Sequence, residues 1–83
     1  MVSARVPIRV AAIFSPGGKV TPKWFELDRR KHEVKDTTYF WRDRIGEVPL
    51  MHYAVTDGEA LYELVYNTLD QTWSPNGLQS ERP

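Results

Sequence analysis

The run Thr37-Thr38-Tyr39-Phe40-Trp41-Arg42 sets two β-branched residues beside three consecutive aromatic rings. Such side chains lose rotamer freedom in a helix and pack well on a pleated surface. We read the run as the central strand, and the segments on either side as its sheet partners.

Those segments alternate with period two. Ile8, Val10, Ala12 and Phe14 share one face of a strand over 6–14, with Arg9 on the other. Pro16-Gly17-Gly18 ends it. Thr21 to Leu27 is a second strand. Pro22 sits at its start, where a missing N–H does least harm, with Phe25 and Leu27 inward and Trp24 and Glu26 outward. Asp28-Arg29-Arg30-Lys31 is a charged reversal.

The long strand then covers His32 to Arg44. Val34 has one parity, Tyr39 and Trp41 the other. One β-bulge near Lys35-Asp36 would bring all three to the core and turn Phe40 and Arg42 outward. After a turn over Asp43 to Glu47, Val48 to Thr56 points Met51, Tyr53 and Val55 inward and His52 outward. Asp57-Gly58 is the hairpin signal of a type I′ turn. Ala60 to Asn67 follows with Tyr62, Leu64 and Tyr66 on one face, although Leu61, Leu64, Val65 and Leu69 also fit helical spacing. Leu69-Asp70-Gln71 reverses the chain, and Trp73 lies on a short last strand.

The expected fold is therefore all-β: an antiparallel meander of five to six strands, a closed barrel or a strongly curved sheet. Residues 1–5 are a loose start, 6–73 one domain, and 74–83 a polar, disordered tail. The chain has 83 residues and no cysteine, so no disulfide or thiolate site stabilises it. Three Trp, four Tyr and three Phe must supply the core, each burying roughly 150–250 Å².

Formal charge is zero, yet unevenly spread. Residues 1–44 hold ten Lys or Arg against five Asp or Glu (+5), and residues 45–83 hold one against six (−5). A binder of polyanions is usually basic throughout, so the balance argues against that class as a whole while permitting one basic side. The longest apolar run, Val10 to Phe14, is too short for a membrane span or a signal sequence, and a cytoplasmic location is expected.

Pro22, Phe25, Arg30, Val34 and Trp41-Arg42, followed by Leu61-Tyr62-Glu63-Leu64 and Trp73, resemble the pattern of a family of short uncharacterised bacterial β modules. Some relatives are joined to proteins similar to translesion DNA polymerases. The resemblance spans Thr21 to Trp73 and implies a small all-β module. It carries no catalytic residue. The chain departs from the pattern at Leu27, Arg29 and His32, where the family has an aromatic residue, a glycine and a tyrosine.

Chemical motifs are sparse. Gly17-Gly18-Lys19-Val20-Thr21 lacks the earlier glycine, the Ser or Thr after the lysine, and the helix of a phosphate loop, and reads as a turn. His32 and His52 lie on different strands without a short-spaced ligand pattern, and His32, Glu33 and Asp36 read as solvated strand residues. Ser15 and Ser74 both precede prolines, and Asp57 and Glu59 are turn residues. No catalytic residue, metal or cofactor is expected.

One set stands out. Arg9, Trp24, Lys35, Phe40, Arg42 and His52 should face outward, with Arg29, Arg30 and Lys31 in the neighbouring reversal. Aromatic and basic residues interleaved on a sheet suit stacking on bases and pairing with phosphates. The plainer account is that Trp24 and Phe40 pack together or lie beneath the termini. The leading expectation is a non-catalytic interaction module with a protein partner, as a monomer or weak dimer. Single-stranded nucleic acid is the alternative partner, and an enzyme with an unrecognised site ranks third.

Overall fold

The computed structural model of the protein describes residues 6–76. Seven strands follow one another: β1 Val10–Phe14, β2 Val20–Leu27, β3 Arg30–Glu33, β4 Asp36–Ile45, β5 Val48–Thr56, β6 Leu61–Asn67 and β7 Thr72–Pro75. All pairing is antiparallel between successive strands. β1-β2-β3 form one sheet and β4-β5-β6-β7 a second. The all-β expectation holds, but the count is seven rather than five to six. Of the two expected forms, a closed barrel or a strongly curved sheet, the closed barrel is not formed among the described residues. Among the described residues two backbone hydrogen bonds link the sheets: Ile8 N–H donates to Trp73 O at 2.8 Å, and Lys35 N–H donates to Thr56 O at 2.8 Å.

The core lies between the sheets. Val20 and Phe25 from β2 meet Tyr53, Val55, Leu64 and Trp73 from the other sheet, with Ile8, Val10, Ala12, Leu27, Val34, Met51, Tyr62 and Tyr66 packed around them. Nearly all are the residues that period two points inward, because one face of each sheet must leave water. Phe14 departs from this at the rim: it is 59% exposed, its ring set edge-to-face with Tyr66 at 5.8 Å. Pro22 is fully buried in the interior of β2, where the ladder to β1 shifts register. That shift is one of the few strand-interior settings that tolerate proline.

The single strand expected over 32–44 is two. Val34 N–H still bonds Lys23 O at 2.9 Å in the first sheet, and Lys35 N–H already bonds Thr56 in the second. The expected slip near Lys35-Asp36 is this change of sheet, which leaves Thr37 opposite inward Val55. A second shift follows between Thr37 and Tyr39. Two slips cancel, so Phe40 pairs with inward Tyr53, while Tyr39 and Trp41 pair with outward Ala54 and His52. Phe40 and Arg42 therefore face inward. Tyr39 is 65% exposed, and Trp41 is a half-buried ring on the outer face, not in the core.

Two turns also differ. The β2–β3 loop is the two residues Asp28-Arg29, with φ of 54° and 67°. This is the type I′ geometry that Asp57-Gly58 was expected to show. The β5–β6 loop instead spans Asp57 to Ala60, with only Gly58 at positive φ, 97°. Its order comes from the Asp57 carboxylate, whose Oδ1 accepts the N–H groups of Glu59 and Ala60, both at 2.9 Å. Ser74 and Pro75, assigned to the tail, belong to β7. Residues 1–5 and 77–83 lie outside the described residues. Among the described residues no helix is long and apolar enough to cross a membrane.

Candidate anion-binding cleft

The ladder between β2 and β3 ends at the Val34–Lys23 bond. Beyond it, the start of β2 and the stretch of β4 from Asp36 to Arg42 diverge, and a cleft of about 560 Å³ opens between them. Such a volume falls within the range of small-molecule and peptide sites. Phe40, Met51 and Tyr53 form its floor, and Gly17-Gly18 in the β1–β2 turn its lip. Four cations line it, Lys19, Lys23, Lys35 and Arg42, against one carboxylate, Asp36.

Among the described residues, Arg9 with Glu26 at 3.7 Å is the one Lys or Arg in an ion pair. The four cleft cations therefore share one concavity with no carboxylate bound to them. Arg42 lies with its guanidinium carbon 5.3 Å from the centroid of Phe40. Phe40 in turn meets Tyr53 at 5.1 Å and 38°. The Arg42 guanidinium is thus held beside aromatic rings in the cleft, where it suits a bound carboxylate or phosphate. Burial pushes the Tyr53 hydroxyl above its ordinary value, and the Arg42 charge only partly offsets it. Tyr53 thus stays a neutral phenol, its oxygen 3.9 Å from the Met51 sulfur. This lining can hold negative charge and apolar surface.

The residues singled out from sequence fall in four places. Lys35, Phe40 and Arg42 reach the cleft, facing inward where outward was expected. Arg9, Trp24 and Lys31 lie together on the outer face of the three-stranded sheet. There Lys31 Nζ is 4.9 Å and Arg9 Cζ 6.0 Å from the Trp24 ring centroid. Arg29 and Arg30 are exposed at the β2–β3 turn. His52 belongs to neither group. It points to the outward side of the four-stranded sheet, as expected, but is 5% exposed.

Both histidines are braced by carboxylates. His52 Nδ1 lies 2.6 Å from Glu63 Oε2, its Nε2 3.6 Å from Asp43 Oδ2, and Trp41 stacks on its ring at 4.8 Å. His32 Nδ1 lies 3.1 Å from Asp57 Oδ2, and its ring stacks on Phe25 at 5.0 Å. His32 spans the sheets, since it sits on β3 and Asp57 follows β5. Among the described residues no three His, Asp or Glu side chains gather as metal ligands. Lys19 and Lys23 were not singled out from sequence. The one signal for Lys19 was its place after Gly17-Gly18, read there as a turn, which it also is.

No protein-family model, curated protein or solved structure matches this chain.

Proposed function

We propose that this protein is a non-catalytic binding module that holds an anionic partner in the cleft between its sheets, and that this partner is a protein segment. One observation carries the reading: Lys19, Lys23, Lys35 and Arg42 line a single cleft without an ion-paired carboxylate, in a chain whose net charge is zero. Bringing like charges together costs folding energy, and an anionic partner recovers it on binding.

Single-stranded nucleic acid is the second reading, supported by the rings beside those cations and by Trp24 with Lys31. A base-stacking platform needs an open ring face. Tyr53 is 3% exposed, and the 38% exposed Phe40 already has the Tyr53 ring at 5.1 Å and the Arg42 guanidinium carbon at 5.3 Å. The cleft therefore offers charge more than stacking surface, which favours the protein.

The test is an NMR titration with an acidic peptide and, separately, an oligonucleotide at low salt. Amide signals of Lys19, Lys35 and Arg42 should move, the movement should diminish as salt rises, and Lys35→Glu should suppress it. Movement confined to Trp24 and Lys31 would place binding elsewhere.

A further inference from the structure

We infer that the cleft receives its partner as an added β-strand along the free edge of β4, and that the segment alternates acidic and apolar residues. This rests on the reading of the cleft as the binding site and adds the mode of binding and the chemistry of the partner.

The first observation is a missing neighbour. Among the described residues β4 pairs with β5 alone, so one edge of a strand of 10 residues, about 33 Å long, is without a ladder. The opposite wall of the cleft is the start of β2. Val20 to Pro22 there pair with β1 only, and Pro22 has no N–H to offer. That stretch of β2 also has one unpaired edge, but it is three residues long and Pro22 interrupts it, so the long free edge beside the gap is that of β4. Long free edges are templates for an extended chain, which gains affinity from main-chain bonds and specificity from alternate side chains.

The second observation is that β4 differs between its faces. Phe40 and Arg42 point into the cleft, where Lys19, Lys23 and Lys35 add charge. Tyr39 and Trp41 point outward, their rings 5.3 Å apart and tilted by 34°, with Tyr39 65% exposed. A strand laid beside β4 sends every second side chain to each face. Residues facing the cleft meet cations and must be acidic. Residues facing outward lie against the Tyr39–Trp41 pair and must be apolar. Nucleic acid has no main-chain donors and acceptors with this spacing, so the edge favours a peptide over a strand of nucleotides.

The experiment uses the full chain with three probes: an acetylated and amidated octapeptide of four Glu-Val repeats, the same peptide with Lys for Glu, and an eight-residue oligothymidylate. Binding is followed by NMR and by amide hydrogen exchange. With the Glu-Val peptide, alternate amides between Tyr39 and Arg44 should exchange at least tenfold more slowly, and the Lys35 and Arg42 signals should shift. The Lys-Val peptide should do neither. Arg42→Glu should weaken binding at least tenfold, and so should Lys19→Glu, an exposed turn residue outside β4 whose change leaves the strand intact. Shifts at the cations without slowed exchange in β4 overturn strand addition and leave the cleft as the site. So does binding of the oligothymidylate in place of the Glu-Val peptide. Silence from all three probes at millimolar concentration and low salt overturns both this inference and the cleft reading.

Discussion

Asp57 ties the two sheets together, and Asp57→Asn should show how much that tie is worth. The carboxylate, 13% exposed, accepts two backbone N–H groups through Oδ1 and faces His32 Nδ1 through Oδ2. The Glu59 N–H, then His32, then the Ala60 N–H hold its pKa down at about 2, from an ordinary 3.8. That depression corresponds to about 2 kcal/mol of stability. The folded pKa is depressed, so this stability is present above pH 3.8 and is lost as pH falls toward 2. Asparagine keeps the Oδ1 acceptor for the turn and removes the charge facing His32. At pH 6 the variant should therefore be less stable by about 1–2 kcal/mol. Urea midpoints at constant ionic strength should show that gap closing between pH 4 and pH 2, as the native carboxylate protonates. Other carboxylates titrate equally in both proteins and cancel in the difference. A gap of constant size from pH 6 to pH 2 would refute the argument.

Arg29 sits at φ 67° in the two-residue β2–β3 turn, a conformation that costs a side chain roughly 1–2 kcal/mol. Arg29→Gly relieves that cost while adding freedom to the unfolded chain, so a net gain of about 0.5–1 kcal/mol should appear in thermal denaturation. Phe25, fully buried between the sheets, should cost about 3–5 kcal/mol when truncated to alanine. Trp41→Ala removes a half-buried ring on the outer face and should cost less than half as much; chemical denaturation of the pair checks the order. Gly58→Val should lower the urea midpoint by the equivalent of about 1–2 kcal/mol through its φ of 97° alone. A Cβ there meets only the Lys35 side chain, Cγ at 3.5 Å and Cε at 3.9 Å, both ordinary contacts.

Much of the fold was legible because period two is a local signal. Phe25 and Leu27 on β2, Met51, Tyr53 and Val55 on β5, and Tyr62, Leu64 and Tyr66 on β6 all point where alternation sends them. The face of β4 was not legible. Its parity depends on how many slips separate Val34 from Phe40, and a second slip at Thr38 leaves no mark on the pattern of apolar residues. The β2–β3 turn was hidden because Asp28 and Arg29 take positive φ without glycine, against local preference. For the site, Lys35, Phe40 and Arg42 were found by composition and for a different face. Lys19 and Lys23 went unrecognised because their approach to Arg42 depends on two segments far apart in the chain.

The sequence by itself determined a cysteine-free, all-β chain whose aromatic residues make the core, and it placed the reversals that separate most strands. These follow from alternation and turn chemistry, which act over a few residues. Only the tertiary structure decided that the chain leaves one sheet for another between Val34 and Lys35, because that change rewards two backbone N–H groups with partners in separate sheets. From that one step come the open edge of β4, the inward turn of Phe40 and Arg42, and the gathering of four cations around a single cleft.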